Sequence, residues 1–94
     1  RNVRTTVDGI LFASKKEANR YCELMLLIKA GEVLYFLRQV PFHLPGEVKY
    51  LCDFLVVWKD WNVGIEDVKG KRTPSYIMKK KQVEFLYTVK ITEI

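Results

Sequence analysis

The sequence predicts one α/β (α+β) domain in which helices pack on a mixed central sheet in the order αβββαβ, with a hairpin ahead of it. Three observations carry this reading. Apolar residues recur every three to four positions between Ser14 and Gly31; β-prone runs separated by turn residues follow; and a Thr-Pro helix entrance precedes a last alternating run. Ninety-four residues, 49% of them hydrophobic, suffice for one modest core and not for a second domain.

Two short β-prone runs between Arg4 and Phe12 flank Asp8-Gly9, residues that tolerate the positive φ of a tight hairpin turn. Ser14-Lys15-Lys16-Glu17 has capping-box spacing, and Ala18, Tyr21, Cys22, Met25 and Ile28 then mark the buried face of a helix over about residues 15 to 30. From Glu32 to Leu44 the chain is rich in Val, Leu, Tyr and Phe; Pro41 cannot donate to a ladder, which predicts an edge strand or a bend. Pro45-Gly46 turns the chain into a long strand over Val48 to Trp58, and a turn at 59–62 returns it antiparallel over Val63 to Lys69. Trp58 and Trp61 are read as packing residues at that turn. Thr73 as N-cap and Pro74 at the first helical position start a second helix running to about Tyr87. Tyr76, Val83, Leu86 and Tyr87 are expected on its buried side, and Val89 to Ile94 alternates as a final strand.

Sixteen Lys and Arg against eleven Asp and Glu give a net charge of +5, and the sequence pI is near 9.3. This fits a polyanionic partner without requiring one. Lys69, Lys71, Arg72 and Lys79 to Lys81 cluster along the chain, which favours a surface patch. Cys22 and Cys52 are too few for a disulfide scaffold and lack metal-ligand spacing, so both are expected as reduced core residues. No apolar run approaches the roughly twenty residues needed to span a bilayer and no signal sequence is visible, so a cytoplasmic setting is expected.

The chemistry concentrates at Asp53 and at Ile65-Glu66-Asp67-Val68-Lys69-Gly70. Alternation along a strand sends Asp67 and Lys69 to one face and Glu66 and Val68 to the other. With Asp53 on the neighbouring strand, two carboxylates beside an ammonium make a hard-oxygen site for a divalent cation such as Mg²⁺, suited to phosphodiester hydrolysis. Asp53 stands in an otherwise apolar stretch, Tyr50 to Val57, where a lone buried carboxylate costs several kcal/mol unless compensated. A cation or a salt bridge to Lys69 supplies that compensation. Glu17, one turn inside the first helix, either completes the metal shell or serves only the capping box. Lys69 would stabilise negative charge or orient the attacking water. Glu66 is assigned to solvent or an interface, Gln39 to a structural hydrogen bond or a reach into the site, and His43 to no role. Lys71, Arg72, Lys79 and Lys81 are candidate DNA contacts beside the metal, or an ordinary solvated rim; Lys79 and Lys81 cannot share one helical face.

Asp53, followed after a turn by Asp67-Val68-Lys69 and preceded by a helix bearing Glu17, resembles the PD-(D/E)xK nuclease superfamily. The wider pattern of Val7-Asp8-Gly9, Ser14-Lys15-Lys16-Glu17-Ala18, Tyr50 to Phe54 and Glu66 to Gly70 with Thr73-Pro74 is similar to a small phage-encoded branch related to Holliday junction resolvases. The likeness covers nearly the whole chain, with Cys52 where the superfamily's name gives Pro. It implies a restriction-endonuclease-like core and a Mg²⁺- or Mn²⁺-dependent endonuclease. Asp53, Asp67 and the Val68 carbonyl would hold metal, Glu17 would assist, and Lys69 would support the water nucleophile. It further implies a homodimer with two sites for opposing strands, working in a bacterial host cell.

The function expected is therefore a structure-selective DNA endonuclease, foremost a phage Holliday junction resolvase. A nuclease acting on forks, flaps or ends is the second expectation, and a DNA-binding module that keeps the fold without catalysis is the third.

Overall fold

The computed structural model describes residues 3–68 and 71–94. Strands β1 (Thr5–Val7) and β2 (Ile10–Phe12) pair antiparallel as a separate two-stranded sheet. Asp8 at φ 52° and Gly9 at φ 77° form the turn between them, the left-handed pair that a two-residue hairpin requires.

Helix α1 (Lys15–Lys29) starts at Ser14, whose hydroxyl accepts the Glu17 N–H at 3.1 Å. It ends at Gly31, φ 78°, where the Glu32 N–H reaches the Leu27 carbonyl at 2.9 Å. The inward face runs through Glu17, Ala18, Tyr21 and Leu24. Cys22 and Met25, expected on that face, are exposed. The helix is rotated by about one residue from the pattern read in the sequence, because Leu24 and Ile28 continue the row set by Glu17 and Tyr21.

The main sheet has the order β3 (Val33–Leu44), β4 (Val48–Trp58), β5 (Val63–Asp67), β6 (Ile91–Glu93), antiparallel except for the parallel β5–β6 pair. β3 is an edge strand, as Pro41 predicts. Helix α2 (Pro74–Leu86), capped by Thr73, connects the two parallel strands. The mixed α+β class and the αβββαβ order thus follow the expectation. Among the described residues no helix is long and apolar enough to cross a membrane.

Two apolar clusters form. One joins α1 and the hairpin to Val33, Phe54 and Val56; the other joins α2 to Phe42, Leu44, Tyr50, Cys52, Ile65 and Ile91. On β4, Tyr50 and Cys52 belong to the α2 cluster while Phe54 and Val56 belong to the α1 cluster. A regular strand would keep these four even-numbered residues on one face. On β3, Phe36 packs with the α1 cluster and Val40 and Phe42 with the α2 cluster, so the neighbouring strand swaps faces too. Both swaps occur at one level, between the pairs Arg38–Phe54 and Val40–Cys52. Gln39, at φ 52°, and Asp53 stand at this seam.

Several packing expectations are corrected. Trp61 is 71% exposed because it lies at the apex of the β4–β5 turn with φ 68°, while Trp58 alone packs on the core. Leu86 and Tyr87 are exposed because α2 ends there; Tyr87 instead meets Phe42 edge to face and donates its hydroxyl to the His43 carbonyl at 2.8 Å. Cys52 is buried as expected, with its thiol pushed up to about 11 chiefly by burial.

Candidate functional site

The β4–β5 ladder gives out next to the seam. Phe54 pairs with Glu66 in the last pair of the β4–β5 ladder, and Asp53 and Asp67 lie just beyond it on their two strands. There the Asp53 side chain replaces the backbone ladder: its Oδ2 accepts the Val68 N–H at 2.7 Å. This ends β5 at Asp67, two residues earlier than the sequence pattern predicts. Lys69 and Gly70 lie outside the described residues.

The other Asp53 oxygen, Oδ1, accepts the Gln39 amide at 3.3 Å, and the same amide nitrogen lies 3.4 Å from Glu17 Oε2. Two carboxylates 36 positions apart in the chain therefore meet on one side-chain nitrogen. The helix brings Glu17, which is 6% exposed; the face swap turns Asp53 and Gln39 towards it. Arg38, stacked over the Phe12 ring with its guanidinium carbon 4.5 Å from the centroid, adds positive charge 3.8 Å from Glu17 Oε2.

Asp67, 1% exposed, is engaged by a residue of the second apolar cluster. The Tyr50 hydroxyl, in the α2 cluster, donates to Asp67 Oδ2. Burial, reinforced by the hydrogen bond to Asp67, raises the Tyr50 hydroxyl pKa far above its ordinary value. Tyr76 behaves alike, raised first by burial and then by its 2.7 Å hydrogen bond to Glu93. The site foreseen from the sequence is thus brought together in part. Glu17 and Asp53 converge, Val68 joins through its amide, and the described hydrogen bond of Asp67 leads to Tyr50 instead. Among the described residues no three His, Cys, Asp or Glu side chains form a group able to hold a metal.

Carboxylate oxygens are the donors a hard divalent cation takes, and two of them already share a partner. Glu17 and Asp53 fit Mg²⁺ or Mn²⁺ by donor chemistry, with Asp67 one register position beyond the last ladder pair.

Glu66 corrects the sequence reading outright. It is 4% exposed, not at solvent, and Arg20 grips it with two bonds, Nε to Oε1 at 2.8 Å and Nη2 to Oε2 at 2.6 Å. That bond to Glu66 is the main cause of the raised Arg20 pKa. Arg20 lies three residues after Glu17, one turn along the same helix side, so the clamp on β5 also fixes where Glu17 points. Such i,i+3 spacing was the available signal for Arg20; for Tyr50 and Lys49 the sequence carried none.

Of the proposed DNA contacts, Lys79 lines a cleft of about 390 Å³ together with Lys49, Ser75 and the rings of Tyr50 and Tyr76. Lys71 and Lys81 are exposed. Arg72 is held by Glu93 at 3.1 Å and Lys80 by Glu84 at 3.1 Å, so part of the basic run is already paired.

No curated protein and no solved structure matches the chain. One family does, over residues 1–94, and the chain belongs to it: the family described as a protein of unknown function, DUF1064.

Proposed function

We propose that the protein is a metal-dependent, structure-selective DNA endonuclease, foremost a Holliday junction resolvase acting as a homodimer. The observation that carries this reading is the meeting of Glu17 and Asp53 on the Gln39 amide, near the end of β5, with Lys69 two positions further along the sequence. A bound Mg²⁺ would supply Lewis-acid stabilisation of a phosphodiester oxygen. The chain's part is to hold two carboxylates at one point, to anchor their backbone through the Asp53–Val68 bond, and to keep α1 in place through Arg20 and Glu66. Lys69 is assigned to the charge that develops on phosphate. The cleft with Lys49 and Lys79 gives the substrate backbone a cationic contact, and contacts to backbone rather than to base edges leave selectivity to DNA shape.

Cleavage of a synthetic four-way junction in Mg²⁺ tests the proposal. Glu17→Gln, Asp53→Asn, Asp67→Asn and Lys69→Ala each abolish it, and full activity in Asp53→Asn removes the mechanism. Comparison with flap, fork and linear duplex separates a resolvase from a nuclease of other branched or free ends.

One observation favours a second reading, a DNA-binding module without catalysis. Tyr50 holds Asp67 from the α2 side, and Asp67 forms no three-ligand group with Glu17 and Asp53. Junction binding that persists while calorimetry finds no Mn²⁺ affinity decides for it.

A further inference from the structure

Gln39 combines three properties. Its backbone adopts φ 52°, a left-handed conformation costly for a residue with a long side chain. It sits on edge strand β3 at the level where both strands swap faces, between two ladder pairs and in neither. Its side-chain nitrogen serves two acceptors at once, Asp53 Oδ1 at 3.3 Å and Glu17 Oε2 at 3.4 Å.

An ionised carboxylate only accepts hydrogen bonds, so the NH₂ end of the amide, and not its oxygen, has to face both acids. Its two N–H groups match the two acceptors, and their partial positive charge opposes the repulsion between the carboxylates. Both contacts are long against the usual N–H···O distance of about 2.9–3.0 Å, so each is weak. Releasing them breaks no bond of the ladder at that level.

We infer that the Gln39 amide is a placeholder: it occupies, between Glu17 and Asp53, the position a divalent cation takes in the loaded protein, so amide and cation compete for the same two oxygens. The inference rests on the metal-dependent reading above and adds how the two carboxylates are held together without a cation. A group that binds only the metal-free form lowers the apparent metal affinity by the factor with which it favours that form. Removing it therefore tightens metal binding.

Gln39→Gly deletes the side chain while accepting the positive φ, which Ala would not. Gln39→Asn, tolerant of that backbone and one methylene shorter, serves if the glycine variant fails to fold. Mn²⁺ binding is read by calorimetry, and the Mn²⁺-induced rise in thermal midpoint is read in parallel. The wild type binds Mn²⁺ and loses it on Asp53→Asn, whereas Gln39→Gly binds roughly three- to tenfold more tightly and shows the larger rise, as loss of one or two weak hydrogen bonds implies. Equal or weaker binding by a folded Gln39 variant, with wild-type binding intact, overturns the placeholder and leaves the metal site standing. No Mn²⁺ binding by any folded form, wild type included, overturns both.

Discussion

Arg20 donates to both carboxylate oxygens of Glu66, at 2.8 and 2.6 Å, and so ties α1 to the strand that carries Asp67. Glu66 is almost fully enclosed and the Arg20 side chain nearly so, 5% and 16% exposed, which makes the pair a structural clamp between helix and sheet. Removing one partner strands a buried charge. Arg20→Ala is expected to cost roughly 3–5 kcal/mol, a fall in thermal midpoint of more than about 10 °C for a domain this size. The double replacement Arg20→Met with Glu66→Leu should cost less than either single change, and thermal denaturation of the four proteins checks it.

Tyr50→Phe removes the hydroxyl from Asp67 while keeping the ring against Phe42 and Tyr76. A buried carboxylate that loses one donor costs about 1–3 kcal/mol, to be measured by chemical denaturation at neutral pH.

Glu84 closes the second helix onto β6 by accepting the Ile91 N–H at 2.8 Å, and this bond, with Lys80, holds its pKa below the ordinary 4.5. A depressed folded-state pKa contributes stability above the unfolded value and loses it as pH falls through the folded one. Wild type should therefore exceed Glu84→Gln in stability at pH 6 to 7, and the difference should close below about pH 4. Denaturant midpoints of both proteins across that range test the sign.

Lys49 and Lys79 share one cleft, whereas Arg72 is paired with Glu93. Under the nuclease proposal, Lys49→Ala and Lys79→Ala each weaken DNA binding and reduce the slope of log affinity against log salt by about one. Arg72→Ala moves that slope less. Fluorescence anisotropy at several salt concentrations reads both effects.

The class and element order were legible because each boundary has its own local chemistry: Asp8-Gly9 at the hairpin, Ser14 and Gly31 around α1, Thr73-Pro74 at α2. The meeting of Glu17 with Asp53 was legible as an order of residue types. The seam was not. Alternation assumes that even-numbered residues keep one face, and nothing local to Gln39 or Asp53 announces that both strands exchange faces there. For the same reason Gln39 was only one of several polar residues, and the hydrogen bond from Tyr50 to Asp67 carried no local signal. Glu66 was misplaced because its partner stands 46 residues away, at a distance no periodicity reaches.

Diffraction from crystals soaked in Mn²⁺, with the ion located by its anomalous signal, addresses the central claim most directly. One ion is expected about 2 Å from oxygens of both Glu17 and Asp53, with the Gln39 amide withdrawn from between them. An ion-free site under saturating Mn²⁺, with Gln39 still bridging the two carboxylates, contradicts it.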